Sequence, residues 1–274
     1  METLRRIFLL PASAVMVILF LLPMMIVFGY SVLTRGAYGG MTLPWSAESY
    51  RQVLDALYLR IVWRSVWVAS AATLICLVLA FPMAVFIARS KRKTALLNLV
   101  MLPFWTSFLV RIYAWMFILR DTGLINTVLQ RLGLIRQPLP LLFNSGAVLL
   151  GLVYGYLPFM ILPLYATLAG LDPALIEAAA DLGAGPITAA RRILLPLAKP
   201  GIAAGCLLVF IPCLGAYLTP DLMGGGRTVM VGNLIQNQFT ASRNWPFGAA
   251  LSLILMLVVL AAGRLLPKRA GQLL

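Results

Sequence analysis

Six apolar stretches set the terms on which this chain can fold. They run at about 7–33, 61–88, 95–119, 146–170, 201–218 and 247–266, each close to the ~20 residues that an α-helix needs to cross a hydrocarbon core. Prolines 11, 23, 82, 103, 158, 163 and 212 fall inside them. A helix bundle tolerates such prolines, because neighbouring helices re-satisfy the freed backbone groups, and each is a place for a kink. Composition agrees with lipid as the solvent: 62% of residues are hydrophobic, mean hydropathy is +0.96 and 11% are charged, against about 25% charged in a soluble domain. The expected fold is an all-α membrane protein of about six transmembrane helices, a single transmembrane domain over residues 1–274. The spans leave no room for a separate soluble catalytic domain of typical size, on the order of 100 residues.

Net charge is +14, from 22 Lys and Arg against 8 Asp and Glu. On a soluble chain that excess points to nucleic acid. Between membrane spans it sets basic residues beside anionic headgroups, so lipid and not nucleic acid is the expected partner. Cys76, Cys206 and Cys213 all lie in apolar runs without CxxC spacing, which argues against disulfides and a metal site. Histidine is absent, and with it the commonest general base and metal ligand. No catalytic residue is expected, and the chain is not read as an enzyme.

The basic residues also orient the spans. Arg5 and Arg6 precede the first run, and Arg89, Lys91, Arg92 and Lys93 cluster between the second and third. Arg191, Arg192 and Lys199 lie between the fourth and fifth, and Arg264, Lys268 and Arg269 close the chain. Short basic loops mark the cytoplasm, so an even number of spans puts both termini inside. The first apolar run exceeds the ~7–15 residues of a signal-peptide core and reads as an uncleaved span. The outer segments are then 34–60, 120–145 and 219–246. In the first of them, Ser46 is placed to cap a short surface helix with Tyr50, Val53, Leu54 and Leu57 on one face. Trp45, Trp63 and Trp67 suit an interfacial belt.

Between the fourth and fifth runs, residues 171–200 read LDPALIEAAADLGAGPITAARRILLPLAKP. Asp172 is a good N-cap, and Pro173 suits the first helical position. Leu175, Ala179 and Leu182 share one face, while Glu177 and Asp181, four apart, make an acidic edge. Gly183 is a natural stop just past the helix end. A second short helix starts at Pro186 and is expected to end before Pro196. Such a narrow, acidic-edged helix suits a groove on a partner; periodicity alone equally describes an ordinary amphipathic loop helix.

The spacing in this loop resembles the cytoplasmic signature of binding-protein-dependent ABC importer permeases, E-A-A-x3-G-x9-I-x-L-P. Glu177, Ala178, Ala179, Gly183, Ile193, Leu195 and Pro196 match it position by position. The resemblance implies a type I ABC importer permease fold, located in a bacterial inner membrane. It also implies that the first short helix is a coupling helix seated in a cleft of a nucleotide-binding subunit. There Glu177 makes polar contacts, Ala178 and Ala179 allow close approach, and Gly183 permits the turn; Asp181 shares the acidic edge. The implied partners are a second, similar permease subunit, two ATPase subunits and a periplasmic solute-binding protein. ATP and Mg belong to the ATPase, and no cofactor is expected on this chain. No G-x-x-x-x-G-K-[ST] phosphate loop is present. Gly224-Gly225-Gly226-Arg227-Thr228 lacks the lysine and reads as a flexible periplasmic turn.

PFWTSFLVRIYAW at 103–115, with GLIN at 123–126, is similar to the subgroup that imports spermidine and putrescine. So is the stretch at 208–239, with RNWP at 243–246. The implied cargo is a polyamine or related amine; an amino-acid-derived or opine-like solute is the alternative. An amine seeks carboxylates or aromatic faces, which makes Tyr113, Trp115, Tyr154, Tyr156, Tyr217 and Asp221 candidates for the solute path. Each aromatic is equally at home in packing or in the interfacial belt. Arg111 lies inside the third run, where a charge is costly and usually faces the bundle interior; it reads as snorkelling, as a structural pair with a backbone carbonyl or carboxylate, or as part of the path. Its charge opposes a bare polycation. Ala216 stands where some polyamine-type relatives carry an acid. A secondary transporter would need an intramembrane carboxylate or histidine for ion coupling, which the runs lack.

Overall fold

In a computed structural model describing residues 2–264, the apolar runs are helical. Lys268, Arg269 and the end of the sixth expected span lie outside the described residues. Among the described residues, three helices are long and apolar enough to cross a membrane singly: within α1 (Glu2–Ser31) the stretch Ser13–Ser31, then α3 (Ala56–Arg89) and α7 (Ser145–Ala169). Two bent helix pairs are long and apolar enough only when each is taken as one span, and the last helix, α14 (Trp245–Arg264), carries the shorter apolar stretch Trp245–Ala261.

The described residues divide into two units, one of residues 2–60 and 234–260, the other of 61–233 and 261–264. The first holds the departure from an all-helical reading. β1 (Leu33–Arg35) and β2 (Met41–Trp45) form an antiparallel hairpin with Thr34 opposite Thr42. Its turn needs Gly39 and Gly40 at φ +88 and +77, a region that side chains with a Cβ avoid. Gly40 N donates to Arg243 O at 2.7 Å, and Arg35 Nη2 to Ser242 O at 3.0 Å. The short helix α2 (Glu48–Val53) follows, and Ser46 Oγ accepts from Glu48 N at 3.1 Å, ahead of the helix and not as its N-cap. Val53 is buried with Phe247 and Leu251, but Leu54 and Leu57 are exposed, because the helix stops at Val53 and α3 starts afresh at Ala56. The four apolar residues expected on one face are therefore split.

The second unit is organised by close helix packing. Lipid supplies no hydrophobic drive between helices, so small residues that let backbones approach mark the interfaces. On α3 the buried positions Ala69, Ala72, Cys76, Ala80 and Ala84 form such a stripe, and Cys76 Sγ donates to Val153 O of α7 at 3.7 Å. α7 packs most extensively on α11 (Lys199–Leu214). A Cβ on Gly201 would stand 2.8 Å from Pro163 O and 2.5 Å from Thr167 Oγ1, and one on Gly205 would stand 2.6 Å from Met160 Sδ. Gly201 and Gly205 thus form a small-xxx-small contact on α7.

The third and fifth expected spans are not straight. The third consists of α4 (Lys93–Met101) with a 3-10 turn (Leu102–Trp105), then α5 (Phe108–Leu119) and α6 (Leu124–Arg131), bent by 86° between Trp105 and Phe108. Pro103 has no N–H to give to the helix. Thr106 and Ser107 go extended, and Thr106 Oγ1 donates to Pro103 O at 2.7 Å. The fifth bends by 71° between Leu197 and Lys199. Its helix ends at Leu214 and not at Leu218, and α12 (Leu218–Gly224) begins a separate element.

Residues 224–228 form a turn with specific contacts to the rest of the second unit. Gly225 and Gly226 sit at φ +54 and +75, and Thr228 is buried. A Cβ on Gly225 would overlap the Phe143 ring. Arg64 Nη1 donates to Arg227 O at 3.1 Å and its Nη2 to Ser145 Oγ at 2.9 Å, pinning the turn to α3 and α7.

Candidate functional site

Residues 171–200 form a helix-turn-helix. In α8 (Ala174–Asp181) Asp172 Oδ1 accepts from Ala174 N at 2.9 Å, which satisfies one free donor of the first turn. The other end closes as a Schellman motif: Gly183 N donates to Ala180 O and Ala184 N to Ala179 O, both at 2.9 Å. Gly183 takes φ +78 with nothing within 4 Å of a would-be Cβ, so backbone conformation and not crowding selects glycine. Then comes α9 (Pro186–Ala189), a π turn (Ala190–Leu194) and α10 (Leu195–Leu197). This second helix continues through Pro196, where the sequence predicts an end. The π turn is the reason: wider spacing ahead of Pro196 relieves the clash of its ring with the carbonyl four residues back.

Glu177, Ala178, Asp181, Gly183, Leu195 and Pro196 are exposed, Ile193 is half-buried and Ala179 is buried. Only Ala179 of the expected apolar face is covered; Leu175 is 45% exposed and Leu182 88%. With Ile187 at 82%, the loop presents apolar side chains beside two carboxylates to the outside. At the base of the loop, a cavity of about 420 Å³ brings Glu177 and Leu194 together with Arg89, Lys93 and Leu168.

Four of the seven path candidates line two cavities of the second unit. Arg111, Tyr156 and Tyr217 line one of about 410 Å³, with Phe104, Phe108, Phe159 and Thr219. Tyr154 stands beside it, 6.0 Å from the Arg111 Cζ, and packs edge-on against Trp115 with centroids 5.5 Å apart. Tyr113 instead lines a cavity of about 660 Å³ with Asp121, Arg120, Phe117 and Phe143. Asp221, exposed on α12, lines neither of these two. Phe104, Phe108 and Thr219 escape the sequence reading. For the two phenylalanines a signal existed, since both follow Pro103 closely and precede Arg111 by seven and three positions.

The broken spans, glycine-mediated packing and projecting loop define a class, the membrane-embedded components of binding-protein-dependent importers. The family described as "Binding-protein-dependent transport system inner membrane component" matches residues 40–269, and the chain belongs to it. It is a multi-pass inner-membrane permease of the ABC importer class. It is 42% identical over 258 residues to the spermidine/putrescine transport system permease protein PotB of Haemophilus influenzae, covering 91% of this chain and 90% of that protein. The PotB of Escherichia coli K12 is also 42% identical, over 263 residues, covering 93% and 96%. In fold the chain is similar to a chain of the bacterial alginate ABC transporter solved in complex with alginate pentasaccharide-bound periplasmic protein (TM-score 0.77, 17% identity, covering 95% and 91%).

Proposed function

We propose that this chain carries a polyamine of the spermidine/putrescine class across the inner membrane, as one of two permease subunits driven by a separate pair of ATPase subunits. A periplasmic binding protein delivers the cargo. ATP and Mg are bound by the ATPase. The single observation that carries the coupling is α8: a capped, glycine-stopped helix whose Glu177, Ala178 and Asp181 are exposed beside uncovered Leu182. An exposed apolar residue next to carboxylates on a short helix is chemistry for a groove on a partner. The extensive similarity to PotB supports the cargo.

In this reading both termini and α8 face the cytoplasm. Closure of the ATPase dimer around ATP draws the two α8 helices together, and the path reopens to the outside; release of ADP and phosphate reverses the motion. The chain itself forms no covalent bond with cargo or nucleotide.

The test is the complete complex in proteoliposomes with a loaded binding protein. Glu177→Ala and Gly183→Pro should each lower cargo-stimulated ATP hydrolysis and putrescine uptake, or release the ATPase on purification, while the permease stays in the membrane. Full uptake with a normally co-purifying ATPase in both variants would overturn the coupling role of this loop.

A further inference from the structure

The cavity around Arg111 contains an electrostatic imbalance. Arg111 is 9% exposed, and its Nε and Nη1 are buried without a hydrogen-bond partner. Its Cζ lies 4.8 Å from the Phe104 ring centroid and 5.5 Å from that of Phe108. Aromatic faces steady a guanidinium but accept none of its N–H groups in the way an oxygen does. Thr219 Oγ1, lining the same cavity, is likewise buried without a partner, and Thr219 is 1% exposed. A buried charge and a buried hydroxyl, both unpaired and both lining about 410 Å³ of space, are costly unless something that visits the cavity satisfies them.

We infer that this cavity binds the carboxylate of a small organic solute, and that the path therefore also accepts amines whose other end is a carboxylate. The inference rests on the reading of this chain as part of a solute path. One guanidinium matches one negative charge, and charge-assisted hydrogen bonds from Arg111, joined by the Thr219 hydroxyl, complete the donors that the fold leaves open. A doubly charged phosphate would want more donors than these. The remaining walls suit the organic part: Tyr156 and Phe159, with centroids 6.2 Å apart, offer faces to an ammonium carried a few methylenes away. An ω-amino carboxylate has this layout. A diamine of the same length sets a second cation on Arg111.

The experiment uses the purified permease–ATPase complex without its binding protein, so that upstream selectivity does not enter. Radiolabelled 4-aminobutyrate is the probe, and acetate and putrescine are the competitors. Saturable binding is expected, displaced by acetate and not by putrescine at equal concentration. Arg111→Gln should weaken it roughly tenfold to a hundredfold, the range for losing hydrogen bonds to a charged group. Thr219→Val, the milder change should Arg111→Gln fail to assemble, should weaken it severalfold. Absence of saturable binding to the intact complex, or unchanged binding in both variants, overturns the inference. Putrescine uptake by the full system is measured in parallel. Its loss would count against the proposed cargo and leave the carboxylate site to stand or fall on direct binding.

Discussion

Two glycines in the loop of residues 171–200 do different jobs, although they stand two positions apart. Gly183 occupies φ +78 with open space where a Cβ would go; Gly185 has equally open space but φ −67. An L side chain at the first pays about 1–2 kcal/mol for the left-handed backbone, and at the second it meets no such strain. Gly183→Ala should therefore lower binding-protein-stimulated ATPase activity by loosening the end of α8. Gly185→Ala should leave that activity close to wild type, and the two are compared in one proteoliposome assay. Gly183 was identifiable from the chain alone, because a helix stop after an acidic, alanine-rich turn is local chemistry. The unpaired state of Arg111 was not. It depends on Phe104, Phe108 and Tyr154 standing where a carboxylate or carbonyl would otherwise be, and those come from three different helical segments.

The packing of α7 on α11 is the largest in the second unit and turns on the contact of Gly201 with a backbone carbonyl. Gly201→Val puts a branched side chain against Pro163 O, which cannot give way as a flexible side chain can. Overpacking of this kind costs about 1–3 kcal/mol. The variant should lose thermal stability in detergent, read as an earlier loss of the monodisperse size-exclusion peak. Gly205→Ala should cost less, since its nearest neighbour is the flexible Met160 side chain. The helices themselves were legible as apolar runs, but their breaks were only half legible. Prolines marked where bends were possible. Pro158 and Pro163 nevertheless lie inside the unbroken α7, while the bend after Trp105 is made by two extended residues, Thr106 and Ser107. The β-hairpin leaves little mark in the sequence, because Gly39-Gly40 between threonines is a weak signal beside a long span and its register is held in part by Arg243, far along the chain.

For the molecule in its membrane, the proposed orientation is tested at the basic cluster between α3 and α4. Changing Arg89, Lys91, Arg92 and Lys93 together to Gln removes the densest positive loop, and anionic lipid and the insertion machinery read such charges within a short distance of the span ends. A cysteine introduced at Ser90 in a background lacking Cys76, Cys206 and Cys213 should be closed to an impermeant thiol reagent from outside when the cluster is intact. With the cluster neutralised, a labelled fraction should appear. Equal protection in both backgrounds would show that the remaining basic loops suffice.

The residue order alone settled that this chain lives in lipid, roughly where its apolar runs lie, and that residues 171–200 form a capped and glycine-stopped helix followed by a second short one. Each of these is short-range: apolar length against bilayer thickness, and caps, stops and an acidic edge within one helix-turn-helix. Tertiary structure decided where the helices break and how the 224–228 turn is held by Arg64 and Phe143, because such features arise from side chains that meet across long separations in the chain. It alone gathered Arg111 and Thr219, more than a hundred positions apart, around one cavity and left both unpaired. Whether a polar group has a partner is a property of the packed molecule, and no pattern along the chain encodes it.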